Sequence, residues 1–253
     1  MRRIIVCVLL SLTILYSNAQ DNYEIQVYGS ETVDKGKTML ELHSNYTLSG
    51  SHEKVDGVLP THHIFHETIE ITHGFTDWFE IGFYVFTSIG STERTGYVGS
   101  HIRPRVAVPA KWKWPVGLSL SAEYGLQKKQ YATNTSTLEV RPIIDKKVNR
   151  FYMAFNPVFD KSFKGTDADR GFIFSPNAKV SYDITKKVAL GLEYYGSTGP
   201  FLHFDDFQQQ QHQLFGSVDL NINPLWEFNA GLGYGLTNST DKSIFKLIVG
   251  RKI

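Results

Sequence analysis

The chain has 253 residues, of which 42% are hydrophobic and 13% aromatic, and it carries 26 basic against 25 acidic side chains. This composition excludes disordered, collagen-like and coiled-coil proteins. The near-neutral charge argues against a nucleic-acid partner, which needs a concentrated basic surface. The mean hydropathy of −0.22 is that of an ordinary soluble protein, but a membrane β-barrel hides its lipid-facing residues by alternating them with polar ones.

The first 19 residues have the organisation of a cleaved signal peptide. Arg2 and Arg3 form a short basic start, residues 4–16 are apolar apart from a serine and a threonine, and Ser17-Asn18-Ala19 places small residues at the two positions that a signal peptidase reads. The apolar stretch is shorter than the roughly 20 residues that span a bilayer. We therefore expect residues 1–19 to be removed after export.

The position of the cysteine limits the chemistry of the mature chain. Cys7 is the only cysteine and lies in the removed segment, which excludes a cysteine nucleophile, a cysteine-based zinc site and an iron-sulfur cluster. Alternation of apolar and polar residues begins at Lys37. Residues 20–36 are accordingly predicted to be an N-terminal periplasmic lead-in, and residues 37–253 to form the folded unit.

Period-two alternation continues along the folded unit, whereas helical periodicity is almost absent. In the run from Trp226 to Leu236, one face carries bulky apolar side chains and the other carries Glu227, Asn229 and three glycines. Repeated glycine has no obvious use on the water-exposed face of a sandwich, but it suits the narrow lumen of a barrel. About twelve such runs are predicted, at residues 37–48, 63–73, 78–89, 96–108, 116–127, 137–144, 150–159, 172–184, 188–196, 212–222, 225–236 and 243–253.

The connections between these runs alternate between short and long. Short ones include residues 74–77 and 185–187, and the longest are residues 49–62 and 197–211. Outer-membrane barrels have this asymmetry, with tight periplasmic turns, longer external loops and an even number of strands. The predicted fold is therefore all-β, a transmembrane up-and-down antiparallel β-barrel of about 12 strands in the outer membrane of a Gram-negative cell.

Aromatic residues and the C-terminal strand indicate two further partners. The apolar alternation of residues 245–253 is similar to the C-terminal signal read by the outer-membrane assembly machinery, although the last residue is Ile253 rather than an aromatic one. Tryptophans at the short-turn end are predicted to lie at a membrane interface and contact outer-membrane lipid. These tryptophans are Trp78, Trp112, Trp114 and Trp226.

Three strand–turn–strand segments carry a family resemblance: HETIEITHGFTDWFEIGFYVF at residues 66–86, YDITKKVALGLEYYG at 182–196 and DLNINPLWEFNAGLGYGLT at 219–237. They resemble units of the outer-membrane barrels named after the meta-pathway of phenol degradation, in which acidic strands flank a turn of the Gly-Leu-Thr-Asp type. The resemblance covers most of the mature chain. It implies an outer-membrane, transport-associated barrel and carries no catalytic residue.

Alternation also turns a set of charged side chains toward the predicted lumen. Pairing strands across their short turns places Lys179 opposite Glu193, and it places Glu123 near His101 and Arg103. The full set of predicted lumen charges is Glu41, Glu70, Glu80, Arg103, Arg105, Glu123, Arg141, Lys179, Glu193, Asp219 and Glu227.

One wall of the lumen is predicted to be balanced in charge and the other to be acidic. The acidic wall has like-charge neighbours, Glu70 with Glu80 and Asp219 with Glu227. Because carboxylates concentrate cations, one interpretation is a path for small cationic or polar solutes. The other is that the charges plug and stabilise a narrow barrel, and the sequence leaves both open.

Other candidate chemistry has unsuitable spacing. Histidines in residues 62–73 are too far apart along a strand to share one ion without help from elsewhere, since residues four apart are separated by about 13 Å. A lipid hydrolase would need serine and histidine on one wall, but alternation separates Ser100 from His101 and Ser44 from His43. We therefore expect no catalytic residue, no metal and no cofactor. The histidines considered are His62, His63, His66 and His73.

Two functional hypotheses follow. The first is a small channel or transport-associated barrel with a polar, partly acidic lumen. The second is a closed barrel whose long loops bind a ligand or partner at the cell surface. A soluble secreted β-protein is the third alternative. An outer-membrane lipid hydrolase is less favoured, and the protein is predicted not to be an enzyme.

Overall fold

The computed structural model describes residues 22–253, so the predicted signal peptide of residues 1–19 lies outside the described residues. Twelve strands form one closed antiparallel barrel in which each strand pairs with its neighbours in sequence and the last strand pairs with the first. The predicted up-and-down 12-stranded barrel is therefore confirmed. The strands are β1 Thr38–Ser49, β2 Ile64–Thr76, β3 Phe79–Ile89, β4 Gly96–Ala107, β5 Gly117–Gln127, β6 Asn134–Val148, β7 Phe151–Gly165, β8 Phe172–Asp183, β9 Val188–Ser197, β10 Gln211–Leu220, β11 Trp226–Gly235 and β12 Ser243–Lys252.

Two strands are longer than the sequence predicts. Strands β6 and β7 have 15 residues each, because their pairing runs from Val148 opposite Phe151 to Asn134 opposite Gly165. Polar residues such as Lys146 fill these extensions, and a search for apolar alternation does not detect them. The other strand ends agree with the predicted runs to within about three residues.

The barrel has an apolar exterior and a polar interior. Outward-facing Leu192 and Leu232 are each 60% exposed, whereas inward-facing Glu70 and Glu80 are fully buried. This inversion of a soluble fold is the arrangement that a lipid environment requires of a barrel. Within residues 22–253, no helix is long and apolar enough to cross a membrane.

Connections at the two ends of the barrel differ in length. At the end that we call the short-turn end, β2 joins β3 through residues 77–78 and β6 joins β7 through residues 149–150. Asn149 has a φ of +56°, the left-handed conformation that such two-residue hairpin turns require. At the opposite, long-loop end, residues 50–63 and 198–210 form the longest connections.

Residues 22–36, which we call the inner segment, run through the lumen. Asn22 donates a 2.6 Å hydrogen bond to Asp241 at the long-loop end, and the Gly36 amide donates a 2.7 Å bond to the Gly74 carbonyl at the other end. Between them, Ile25 is fully buried. The described part of the predicted periplasmic lead-in thus lies inside the barrel, because wall side chains satisfy its polar groups and bury its apolar ones.

We expect arginine at Leu192, in the middle of β9 on the outer surface, to destabilise the protein in lipid. A cation at the bilayer midplane of a barrel costs about 2–4 kcal/mol, whereas Leu202→Arg in the 198–210 connection should change stability by less than about 0.5 kcal/mol. Both side chains are well exposed, Leu192 at 60% and Leu202 at 75%. Reversible urea unfolding in vesicles measures the difference, and equal effects of the two substitutions would contradict a lipid-facing β9.

Candidate functional site: the barrel lumen

Side chains of the wall bind the backbone of the inner segment. Asn156 accepts a 2.8 Å hydrogen bond from the Tyr28 amide and donates a 3.0 Å bond to the Tyr28 carbonyl. Thr68 donates to the Tyr23 carbonyl at 2.7 Å. Residues 22–30 belong to no strand, so these side chains take the place of a strand ladder in satisfying buried backbone groups.

Tyr28 lies at the centre of the lumen among three arginines. The guanidinium carbons of Arg103 and Arg141 are each 4.6 Å from the centre of the Tyr28 ring, and that of Arg105 is 5.9 Å away. The Tyr28 hydroxyl donates a 2.5 Å hydrogen bond to Glu24. An aromatic ring attracts cations to its face, so one side chain of the inner segment stabilises arginines from two parts of the wall.

Arg103 and Arg105 compensate the first group of predicted lumen carboxylates. Arg103 Nη2 lies 2.7 Å from Glu70 and 3.6 Å from Glu80, while Arg105 Nη2 lies 2.6 Å from Glu80. Glu70 and Glu80, predicted to be like-charge neighbours, are therefore both compensated by arginine. They share Arg103, which reaches across from β4, and Val33 of the inner segment donates its amide to Glu80 at 2.6 Å.

A second group of charges is centred on Glu193. The register pairs Lys179 with Glu193, and their charged atoms are 3.1 Å apart. Lys246 of β12 also bonds Glu193 and donates to the Ile25 carbonyl at 3.2 Å. Lys179 reaches Asp219 at 2.7 Å. Lys179 therefore compensates the charge of Asp219 as well as that of Glu193.

A third group of charges lines the lumen on the long-loop side of Tyr28. His101 Nδ1 lies 2.5 Å from Glu123, as the strand pairing predicts, but Arg103 contacts Glu70 instead of Glu123. Arg141 bonds Glu139 at 2.6 Å and approaches Glu24 of the inner segment at 3.4 Å.

Ion pairs connect the wall predicted to be balanced in charge with the wall predicted to be acidic. Arginines of β4 neutralise carboxylates of β2 and β3, and Lys246 of β12 neutralises Glu193 of β9. Of the predicted lumen charges, Glu227 is the exposed one, at the short-turn end, and Lys179 and Asp219 are partly exposed. The buried ones are Glu41, Glu70, Glu80, Arg103, Arg105, Glu123, Arg141 and Glu193.

Two cavities lie at opposite ends of the lumen, on either side of Tyr28 and its arginines. A cavity of about 300 Å³ near the long-loop end is lined by Asn22, Glu24 and Glu123 among others. A cavity of about 560 Å³ near the short-turn end is lined by Lys179, Asp219 and Glu227 among others. The inner segment and the ion pairs around it therefore occupy the part of the lumen between the two cavities.

Asp241 binds the inner segment at the long-loop end of the barrel. It accepts hydrogen bonds from Asn22 at 2.6 Å and from Thr61 at 2.8 Å. Burial raises the pKa of the Asp241 carboxyl above its ordinary value, and these two hydrogen bonds act in the opposite direction. Because the folded state takes up this proton at a higher pH than the unfolded chain, acidification stabilises the folded state at this contact.

The remaining sequence candidates are dispersed. His66 bonds Thr47 inside the lumen, His73 bonds Thr38 at the short-turn end, and His62 lies in the long β1–β2 connection. Ser100 contacts Tyr97 on the outer surface, away from buried His101. The residues considered for a metal or a hydrolase thus do not gather into one site.

The predicted interface tryptophans all lie at or beside the short turns. All four are exposed, and Arg251 lies 5.1 Å from the centre of the Trp226 ring. Their contact with lipid headgroups stays a prediction. They are Trp78, Trp112, Trp114 and Trp226.

Residues 72–245 match the family described as "Putative MetA-pathway of phenol degradation". The chain belongs to this family, as the sequence resemblance predicts. The match begins near the end of β2 and extends into β12, so it covers most of the wall but not the inner segment. None of the curated proteins matches the chain.

Among solved structures, this chain is similar to the COG4313 outer membrane channel from Pseudomonas putida F1, at 10% identity and a TM-score of 0.60 over 91% of this chain and 100% of that one. It is also similar to the KdgM porin, at 11% identity and a TM-score of 0.54 over 84% and 98% of the two chains. The KdgM porin in complex with disordered oligogalacturonate gives 10% identity and a TM-score of 0.51 over 84% and 98%. At such identities the likeness shows a shared barrel fold.

The occupancy of the lumen by the inner segment is the main feature that the sequence analysis missed. The sequence of the inner segment does contain a signal of burial, because apolar Tyr23, Ile25 and Val27 alternate with other residues. All three are buried. The stretch is too short and too polar to be recognised as a strand. Its partners lie far away in sequence, as the 128-residue separation of Tyr28 from Asn156 shows.

We expect Tyr28→Ala to destabilise the folded barrel by about 3–5 kcal/mol, since it removes a buried aromatic ring together with its contacts to the arginines. Tyr28→Phe keeps the ring and loses the hydrogen bond to Glu24, so it should cost about 1 kcal/mol. Urea unfolding in vesicles gives both values. Equal stability of Tyr28→Ala and Tyr28→Phe would show that the ring between the arginines contributes nothing.

Proposed function

We propose that the protein is an outer-membrane channel that is closed at rest by the inner segment. Its signal peptide is cleaved after Ala19 during export. The channel conducts small polar solutes, preferentially cations, when the inner segment moves. The observation that carries this proposal is the pair of cavities at opposite ends of one lumen, separated by Tyr28 and the ion pairs of the arginines around it. Family membership and likeness to barrels described as a channel and a porin support it.

The inner segment is suited to movement because it is no part of the barrel sheet. Residues 22–30 are held by side-chain hydrogen bonds and ring packing, so their displacement leaves all twelve strand pairings intact. Each such bond contributes only about 0.5–1.5 kcal/mol net. A closed ring of strands therefore supplies a rigid frame, and the segment supplies the removable part.

The proposed cation preference rests on the cavity near the long-loop end. Its lining contains six carboxylates against two arginines, and carboxylates in a confined polar path raise the local concentration of cations. Oligogalacturonate, named with one similar porin, is a property of that protein and does not set the solute here. The acidic lining residues are Glu24, Glu53, Glu123, Glu139, Asp160 and Asp167.

A disulfide between the inner segment and the wall tests the channel proposal. Residues 22–253 contain no cysteine, and Ser30 Oγ donates a 2.6 Å hydrogen bond to Asp145, so Ser30→Cys with Asp145→Cys places two thiols close together. We expect planar bilayers to show little current with the oxidised variant and discrete openings after reduction. The reduced form of the same variant is the matched control, and the wild type checks that both substitutions are tolerated.

Deletion of residues 22–30 extends this experiment. The deletion should give long-lived openings of larger conductance than the wild type. Absence of conductance from the wild type, the reduced variant and the deletion would disprove a channel. Equal conductance of the oxidised and reduced forms would leave a channel but disprove closure by the inner segment.

The cation preference has its own test. Glu139→Gln combined with Asp160→Asn removes two negative charges from the cavity near the long-loop end. The reversal potential in a KCl gradient should therefore shift toward the value of a non-selective pore. Asp56→Asn, in the exposed part of the β1–β2 connection, is the control and should leave the potential unchanged. An unchanged potential in the double variant would contradict selectivity by these carboxylates.

A second candidate is a closed barrel that binds a ligand or partner through its long loops. The connection at residues 198–210 favours it, because Phe201, Leu202, Phe204 and Phe207 are all exposed there. Apolar side chains grouped at a loop are typical of binding surfaces. Loss of binding on truncation of this loop, together with no conductance from any variant, would favour this function.

We infer that the protein is not an enzyme. A nucleophilic serine would need a histidine beside it, yet Ser44 bonds Glu67 while His43 is buried on the lumen side. The similar solved barrels cited above are described as a channel and porins rather than as enzymes.

A further inference from the structure

Three potential metal ligands meet on the lumen side of β1 and β2. Glu41 lies directly opposite Glu70 in the strand register, and His43 follows two residues after Glu41 on the same face. One ligand atom from each residue lies within 4.8 Å of the others. All three side chains are at least nine-tenths buried, so water does not compete freely for them.

Three polar atoms of this group, two on His43 and one on Glu70, make no hydrogen bond among the described residues. Neither ring nitrogen of His43 makes a hydrogen bond within residues 22–253, although Nε2 lies 3.4 Å from Glu70 Oε2. Glu70 Oε2 likewise accepts no hydrogen bond, whereas Glu70 Oε1 is bound by Arg103 and Thr72, each at 2.7 Å. In the described part of the chain, the buried imidazole thus has no partner at Nδ1 and only a long contact at Nε2, which is costly and points to a ligand between the imidazole and the carboxylates.

The surrounding charge has the sign that a divalent cation would compensate. Arg103 and Arg105 supply two positive charges against the carboxylates of Glu70, Glu80, Glu41 and Glu227. Glu41 and Glu227 face each other across Gly250, where an added Cβ would lie 3.0 Å from Glu41 Cγ and 3.2 Å from Glu227 Cβ. Glu41 forms no ion pair among the described residues. In formal charge, these four carboxylates exceed the two arginines by two.

We propose that Glu41, His43 and Glu70 bind a divalent first-row transition metal of the Zn²⁺ type. One imidazole nitrogen and two carboxylate oxygens are ligands that such ions take, at about 2.0–2.2 Å each. Ligand atoms of one ion are then up to about 4 Å apart, so a small side-chain rotation brings this group into range. The site is independent of the proposed channel function.

We expect an ion to reach this site from the short-turn end. Met39 and Glu227 line the cavity of about 560 Å³ there, and Glu41 follows Met39 by two residues on the same face of β1. Glu227 is exposed to that cavity, so it is placed to meet an entering cation first. Arg103 fixes the other oxygen of Glu70, in the way that hydrogen-bonded neighbours orient metal ligands.

The histidines of the β1–β2 connection are the competing site. The rings of His52 and His62, and of His62 and His63, have centres 3.8 Å apart in each pair. The His62 and His63 rings are stacked and the His52 and His62 rings are tilted, and surface histidines of this kind bind added metals weakly. An experiment must therefore separate these two groups.

The test uses the untagged full-length mature protein, folded in detergent micelles and freed of metal with EDTA. Zn²⁺ titration by calorimetry and metal analysis after gel filtration should give one tightly bound ion per chain. Glu41→Gln and His43→Gln should each weaken binding more than about tenfold, since even indirect disturbance of a metal site costs 10–100-fold. His52→Gln with His62→Gln is the control and should bind Zn²⁺ as the wild type does.

Three outcomes would overturn the proposal. They are no bound Zn²⁺ in the wild type, binding retained in Glu41→Gln and His43→Gln, or binding lost in the His52 and His62 control. Heat-modifiable gel mobility establishes that each variant is folded. If His43→Gln does not fold, anomalous scattering from wild-type crystals soaked in Zn²⁺ decides the matter: an ion at Glu41, His43 and Glu70 supports the proposal, and an ion elsewhere overturns it.

Discussion

The ring of Tyr28 between the guanidiniums of Arg103 and Arg141 is the contact on which the interior of this barrel depends. Arginines buried among carboxylates lose their hydration, and such a network is stable only when most of its polar atoms are satisfied. Tyr28 covers the faces of the guanidiniums while carboxylates bind their edges. The inner segment and the wall therefore stabilise each other, and neither is complete without the other.

This mutual dependence gives the lumen two mechanical parts. The wall is a closed sheet in which each strand has two neighbours, so it has no free edge and resists local opening. The inner segment is attached to the wall through wall side chains. Several of these side chains form only one hydrogen bond to its backbone. A structure of this kind can change the state of its lumen while the membrane-embedded surface stays the same, which is what a regulated path requires.

The sequence predicts the wall well because the rule that governs it is local. A strand with lipid on one face and a polar lumen on the other must alternate, and alternation is visible within ten residues. Neighbouring strands are joined by turns, so the pairing of Lys179 with Glu193 also follows from counting outward from a turn. Contacts between strands that are not adjacent follow no such rule. Glu70 and Arg103 lie on β2 and β4, and Arg103 reaches Glu70 over Gly82 of β3, where a Cβ would lie 3.2 Å from Arg103 Nη2.

The direction of the inner segment has a consequence for how the barrel is assembled. The chain enters at the long-loop end with Asn22, passes down the lumen, reverses near Gly36 and returns upward as β1. Since β1 forms the closing seam with β12, the strand that seals the cylinder is tied directly to the segment that fills it. Closure of the seam around an already threaded segment avoids pulling a charged peptide through a finished pore. Filling the lumen and sealing the wall would then be one event of folding.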